Sequence, residues 1–254
     1  MSKFEGAAIG RLERMYSSPE IVEQRARTRK ALGIRAGERG LDIGCGPGFL
    51  LCEMAEQAGT TLVGIDASAD MVAAARRRID GNKLAARIDV APGDATQLEL
   101  PSSSFDFVVA VQVYLYVKDI GRALAEAARV LRPGGRLVVV DTDWDSCVWL
   151  TSDPARNRRM LDGWAAQFAQ PHLPPLLPKL LSGAGLEVES VESFPVLNLR
   201  YDSDGFSAGV IEMLPRIVAE HDAQAWAADL RARTGEGEYF FSVNRYLFRA
   251  RRPA

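Results

Sequence analysis

The chain has 254 residues, 47% hydrophobic and 25% charged, with 31 Lys and Arg against 33 Asp and Glu for a formal net charge of −2. That length buries a sizeable core, and the near-average composition excludes disorder, collagen-like repeats and a coiled coil. The even charge balance argues against a surface built to grip phosphate backbones, so no nucleic-acid partner is expected. No run of about 18 apolar residues predicts a membrane span. The opening Met-Ser-Lys-Phe-Glu-Gly lacks the apolar stretch of a secretory signal, and Cys45, Cys52 and Cys147 form neither a metal-ligand spacing nor an even disulfide set. The expectation is a cytoplasmic, reduced protein without a metal; the oligomeric state is not legible.

In chain order, a helix is predicted near Ile9–Tyr16, and a second over 19–32 with Ser18 at the N-cap, Pro19 in the first turn and Gly33 and Gly37 after its end. Short apolar runs (Gly40–Ile43, Thr61–Ile65, Ala86–Val90, Phe105–Val111, Gly135–Val140) then alternate with helical segments (Phe49–Gln57, Ala69–Ile79, Ile120–Leu131). Strands that read as continuous apolar runs are covered on both faces, so the segment predicts a doubly wound α/β sheet. Beyond Asp141 the rhythm breaks. Helices are expected over Pro154–Gln170, Leu176–Ser182 and most of Ser203–Arg233, kinked at Pro215. Strands are expected over Leu186–Phe194 and Tyr239–Arg249, the latter setting Phe241, Val243, Arg245, Leu247 and Arg249 on one side. The whole chain, 1–254, is read as one domain: cap helices over 1–37, a binding core over 38–141, and helical lid inserts over 142–175 and 203–233.

The most informative stretch is Gly40-Leu-Asp-Ile-Gly-Cys-Gly-Pro-Gly48, a strand running through spaced glycines into a helix. Glycine lets backbone lie against a ligand, and the helix start supplies free N–H groups, although packing alone can also call for such a turn. Asp66 ends the next strand, where a carboxylate can accept both hydroxyls of a ribose. Asp94, after the third strand, can hold an adenine amine. Helix capping is the competing reading for both acids, and Ser68 beside Asp66 suits it. The spacing departs from the dinucleotide fingerprint, with Phe49 where that pattern calls for its third glycine, and Asp42 before the first glycine opposes a pyrophosphate while suiting a cationic sulfonium or ammonium.

Together, Leu-Asp-Ile-Gly-Cys-Gly-Pro-Gly, Gly-Ile-Asp-Ala-Ser-Ala-Asp-Met, Gly-Asp-Ala, Phe-Asp-Phe-Val-Val-Ala and Leu-Arg-Pro-Gly-Gly-Arg-Leu resemble the class I S-adenosylmethionine-dependent methyltransferases over about 38–141. The texture is that of the small-molecule branch that includes the quinone-biosynthesis enzymes. The resemblance implies a seven-stranded, mostly parallel Rossmann-like sheet of order 3-2-1-4-5-7-6 with the last strand antiparallel. It also implies S-adenosylmethionine as cofactor, with Asp42, Gly44, Cys45 and Gly46 at its methionyl part. Asp66 would take the ribose, Ala67 and Met71 would flank the adenine, Asp94 and Ala95 would hold it, and Gln112 would offer its carbonyl to the ammonium. Tyr16 and Arg25 are candidates to close over the methionyl end, with packing as the alternative.

A sulfonium already makes its methyl electrophilic, so placing a nucleophile in line suffices and a general base is optional. Where relatives read Leu-His-His-Val after strand four, this chain has Tyr114-Leu-Tyr116-Val; Tyr116 stands at a base position, though a phenol is a poor base near neutrality. His172 is the other catalytic candidate, against a structural role in its Pro-rich loop; His221 reads as solvated. Tyr114, Asp143, Trp144 and Trp149 are candidate contacts to a small apolar or aromatic acceptor, and Asp145 shares the Asp143 loop. The alternatives are a nicotinamide oxidoreductase, a non-catalytic cofactor-binding protein, an RNA methyltransferase, and an arsenite methyltransferase, which would need converging thiols.

Overall fold

The computed structural model describes residues 14–56, 59–214, 217–218, 220–235 and 237–254. Most of the expected first helix and the expected Pro215 kink therefore lie outside the described residues; residues 14–16 are helical. Helix α1 (Pro19–Leu32) has Pro19 in its first turn, and it closes on Gly33, whose N–H returns to the Arg29 carbonyl. Ser18 holds the N-cap position as expected, yet its hydroxyl makes no capping bond.

Seven strands follow: β1 (Arg39–Ile43), β2 (Thr61–Asp66), β3 (Ile88–Pro92), β4 (Phe105–Val111), β5 (Leu131–Trp149), β6 (Glu187–Asn198) and β7 (Phe241–Arg251). They form one sheet in the order β3-β2-β1-β4-β5-β7-β6, with β7 antiparallel to both its neighbours and the other pairings parallel. The fold implied by the sequence is the one observed. Helices α2 (Phe49–Glu56), α3 (Ala69–Gly81), α4 (Ile120–Val130), α5 (Pro154–Ala165), α6 (Leu177–Gly183), α7 (Phe206–Met213) and α8 (Glu220–Gly235) and two 3-10 turns, Tyr114–Tyr116 and Pro174–Leu176, complete the named elements.

Alternate residues of β4 explain its unbroken apolar run. Val108 and Ala110 pack with Leu124 and Ala127 of α4 and Leu177 and Leu181 of α6. Phe107 and Val109 pack on the other face with Leu32, Met54 and Ala75. A third apolar cluster lies past the sheet's carboxyl rim, where Trp144, Trp149, Trp164, Phe206, Trp226 and Phe241 meet. Among the described residues no helix is long and apolar enough to cross a membrane.

The segment from 142 differs from expectation. It continues β5 as strand to Trp149, pairing Val148 with Ser242 and Trp149 with Phe241 across an irregularity between Asp143 and Val148. Cross-strand pairing with the apolar positions of β7 overrides the broken local pattern. Helix α5 ends at Ala165 rather than 170, because Gln170 precedes a proline and gives its N–H to the Leu115 carbonyl (2.9 Å). Strand β6 runs through Pro195, which an edge strand tolerates.

Trp226 of α8 fastens the helices beyond the rim. It is fully buried, its ring stands edge-on to Trp149 at 4.9 Å, and its indole N–H donates to Asn157 Oδ1 (2.9 Å). Trp226→Ala should lower unfolding free energy by about 3–5 kcal/mol in urea titrations, and Trp226→Phe by less; a loss under about 1 kcal/mol would show this cluster to be unimportant for stability.

Candidate active site

The loop between β1 and α2 is shaped by what faces it. Gly44 has φ +69° and a Cβ there would lie 2.4 Å from Val113 Cγ2; Gly46 has φ +52° and a Cβ there would come within 3.2 Å of the Tyr16 hydroxyl. Both positions combine a left-handed backbone with a close neighbour, so glycine is required twice over. The amides of Gly44 and Cys45 donate to the Ile65 carbonyl at 2.7 and 2.9 Å. Asp66 then clasps the loop: one carboxylate oxygen accepts from Gly46 N–H and the other from Ser68 N–H, each at 2.8 Å. Ser68, in turn, caps α3 by accepting from Met71 N–H (3.4 Å), so the capping role falls to the serine.

Asp42 lies beside this clasp, 2% exposed, and among the described residues no cation pairs with it. Burial, reinforced by the neighbouring Asp66 charge, holds its carboxyl well above the ordinary range. Asp66 is also raised by burial, against the pull of its two backbone donors. A buried acid beside a half-buried one is costly without a cation to offset them.

Tyr16 covers the loop. Its ring stacks on Phe49 at 5.7 Å, and burial, with Tyr116, Asp66 and Asp42 nearby, pushes its hydroxyl far up. Arg25 holds it there, donating from Nη1 to the Tyr16 carbonyl (2.6 Å) and from Nε to Glu53 (2.8 Å). The charge of Arg25 is thus engaged by Glu53, which Arg29 also contacts. Cys45 is buried and its thiol is pushed far up by burial, so it is no nucleophile. Met71 is buried while Ala67 is exposed. The Asp94 carboxylate is exposed and bonds the Thr96 amide and hydroxyl, both at 2.8 Å, which lowers its pKa. Gly93 N–H reaches the Asp66 carbonyl (3.0 Å), joining the ends of β2 and β3, and Ala95 packs against the core.

The turn after β4 is the second pillar. Gln112 is a non-glycine residue at φ +58°, a conformation that costs energy unless its surroundings fix it. Its N–H donates to the Val140 carbonyl (2.7 Å), and its side-chain oxygen accepts from Thr142 Oγ1 (2.9 Å). Asp141, fully buried, faces the amides of Val113, Tyr114 and Leu115, whose pull only partly offsets the rise caused by burial. Tyr114 is fully buried with its hydroxyl unpartnered, inside the core and away from any acceptor surface. Tyr116 differs: it is 55% exposed, yet burial among surrounding groups and the Asp141 charge raise its phenol to about 12.

Beyond Tyr116, Phe168 (5.2 Å between centroids) stacks on Trp144 (5.5 Å), forming a continuous aromatic wall. Trp149 is not on that wall; it is packed between Trp226 and Phe241, with its indole N–H directed to Tyr239 Oη (3.4 Å). His172 sits where Trp144 N–H donates to the Pro171 carbonyl (3.1 Å). Its Nδ1 lies 2.9 Å from Asp145 and 3.6 Å from Asp143. Ligand atoms of these three residues fall within 4.8 Å of one another, a grouping capable of holding a cation that linear spacing does not reveal. The three cysteines are buried, Cys45 and Cys52 in one cluster and Cys147 in another, so no thiol trio converges. Sequence reasoning missed Asp141, Gln24, which meets Gln112 Nε2 at 3.5 Å, and Phe168.

Residues 41–139 match the family model described as a methyltransferase domain. The chain is 38% identical over 140 residues to a ubiquinone biosynthesis O-methyltransferase of Bradyrhizobium sp. (strain ORS 278), covering 54% of each chain. It is 45% identical over 118 residues to an uncharacterized 37.1 kDa protein in transposon TN4556 of Streptomyces fradiae, covering 46% of this chain and 33% of that one. The chain thus matches about half or less of the length of these curated relatives. The fold is that of the Haemonchus contortus phosphoethanolamine N-methyltransferase 2 solved with phosphomonomethylethanolamine and S-adenosylhomocysteine, with a TM-score of 0.67, 19% identity, and coverage of 99% of this chain and 59% of that one.

Two outcomes follow from the acid pair. Asp66→Ala should weaken S-adenosylhomocysteine binding by about 1.5–3 kcal/mol in calorimetry, since charged hydrogen bonds are lost; unchanged affinity removes Asp66 from the site. Because the folded chain holds a proton on Asp42 that the unfolded chain releases near pH 4, stability without ligand falls as pH rises from about 4 through the raised value. Asp42→Asn should therefore melt higher than the parent at about pH 8, with the advantage vanishing towards about pH 4. An equal melting temperature at both pH values contradicts the cost assigned to Asp42.

Proposed function

We infer that this chain, which carries a class I S-adenosylmethionine-dependent methyltransferase domain, moves a methyl group from that cofactor to a small apolar or aromatic acceptor. The observation that supports the reading above all others is the pair of buried Asp42 and half-buried Asp66, which stands at the carboxyl rim with no cation among the described residues to neutralise Asp42. A sulfonium-bearing adenosyl ligand supplies that charge and a ribose diol, whereas a nicotinamide dinucleotide brings a pyrophosphate against Asp42. When bound, the cofactor provides a methyl activated by its positive sulfur.

The chain's own residues do the positioning. Asp66 and the loop amides hold the ribose end, and Tyr16 closes over the loop. The Gln112 turn fixes the methionyl end, and the wall of Tyr116, Phe168 and Trp144 receives the acceptor. Helices α5, α7 and α8 form the lid that excludes water from this chamber. An acceptor held against this wall would meet the activated methyl in line, and its proton would pass to a base on the chain. His172 is the better base: Asp145 and Asp143 orient it through Nδ1, leaving Nε2 to take the proton. Tyr116, raised to about 12, stays protonated and serves as a donor or a packing surface.

Calorimetry should detect S-adenosylhomocysteine binding and no NADH binding; the reverse preference ends this reading. With catechol-like acceptors, His172→Gln should lower kcat by about 10²–10⁴-fold while leaving cofactor affinity unchanged. An unaltered kcat assigns His172 to structure. Cofactor binding with no turnover across an acceptor panel favours a binding protein instead.

A further inference from the structure

The last strand carries a cation into the apolar cluster beyond the rim. Arg245 is 1% exposed, its guanidinium lies 4.5 Å over the Phe206 ring, and its Nε and Nη1 have no hydrogen-bond partner. Burial draws its pKa down to about 9, with the Glu20 and Tyr16 charges only partly restoring it. Glu20 does not close an ion pair: Asn198 Nδ2 donates to one of its oxygens, and the other has no partner. Buried polar groups normally find partners, so orphans gathered in one place call for an explanation.

Arg245 is not the only orphaned donor. The indole nitrogens of Trp144 and Trp164 are also buried without partners. These donors surround one aromatic surface: Trp144 stacks on Phe206 at 6.4 Å and meets Trp164 edge-on at 5.2 Å. Phe168 joins Trp144 to the exposed ring of Tyr116. In the sheet, Arg245 stands opposite Thr142, whose hydroxyl holds Gln112 at the cofactor end. The orphaned nitrogens thus lie around one aromatic cluster, and no described residue supplies the oxygen atoms they lack.

We propose that Arg245 receives an acidic group on the methyl acceptor, a carboxylate borne by an aromatic ring, with the Trp144 and Trp164 indole N–H groups facing the same ligand. The proposal rests on the methyltransferase reading and narrows its acceptor class. A carboxylate takes two charge-assisted bonds from a guanidinium, and its ring stacks on the wall beside it. Glu20 sets the threshold, since its negative charge competes with the incoming acid for Arg245.

The test is calorimetry on the chain saturated with S-adenosylhomocysteine, using benzoate, 2-naphthoate and indole-3-acetate, each against its neutral methyl ester. At least one acid should bind about 10- to 100-fold tighter than its ester. Arg245→Met should bring that ratio to about one, while Glu20→Gln should widen it. Urea titration of Arg245→Met separates a structural role, which would lower stability and leave the ratio intact. Three pairs bound without preference for the acid, or a preference that survives Arg245→Met, overturn the proposal. Should Arg245→Met not fold, an unchanged ratio in Glu20→Gln overturns it. Failure to bind S-adenosylhomocysteine at all overturns the methyltransferase reading, and this proposal with it.

Discussion

The clasp formed by Asp66 is the interaction from which the site is built. One carboxylate at the end of β2 bonds the amides of Gly46 and Ser68, fixing a glycine loop from one strand to the helix entry of another. The carbonyl of Ile65 adds two more bonds to the same loop, and the Asp66 carbonyl draws in Gly93 after β3. Three strand ends are thereby tied at the sheet's carboxyl rim, which is where doubly wound sheets open a crevice for ligands. The fold places them as neighbours because β1 lies between β4 and β2 and β3 follows β2. Without the clasp, the left-handed residues of the loop lose the framework that offsets their cost.

The clasp also concentrates negative charge. Buried Asp42 and half-buried Asp66 lie together, and among the described residues no cation pairs with Asp42. Arg25, the basic residue that sits nearby, is occupied by Glu53 and holds Tyr16 in place. The opposite imbalance exists at Arg245, which is buried with Nε and Nη1 unpartnered. The fold thus holds an unpaired buried acid and an unpaired buried cation in separate places. Active sites are commonly less stable than they would be with ordinary packing, and these groups show where that cost resides.

Much of the nucleotide half was legible in sequence because its determinants are local. Glycines, strand-end acids and apolar runs between 40 and 140 act within a few residues of where they stand, so Asp42, Gly44, Gly46 and Asp66 could be placed by pattern. The acceptor half was less so. Its elements depend on pairings made by distant segments: residues 142–149 read as the start of an insert but become strand because β7 pairs with them. Trp149 looked like a binding surface for the same reason, since nothing local shows that Trp226 and Phe241 enclose it. The Asp143–Asp145–His172 grouping joins a strand and a loop that only the turn at Pro171 brings together. Arg245 did leave a trace, as a charged residue on the face of β7 that also carries Phe241, Val243, Leu247 and Arg249. Its meaning needed the burial, since the alternation alone does not separate buried Arg245 from partly exposed Arg249.

The place of β7 in the sheet has a kinetic corollary. It slots between β5 and β6, both made earlier, so those two strands must wait with a gap of one strand's width until residues 241–251 are synthesised. The nucleotide half, made of elements that neighbour one another early in the chain, has no such wait. Pairings of high sequence separation form slowly, and unfilled sheet edges invite wrong partners. Assembly on the ribosome therefore proceeds from the β1–β4 half of the sheet toward β5 and β6, and the guanidinium of Arg245 arrives with the strand that joins those two.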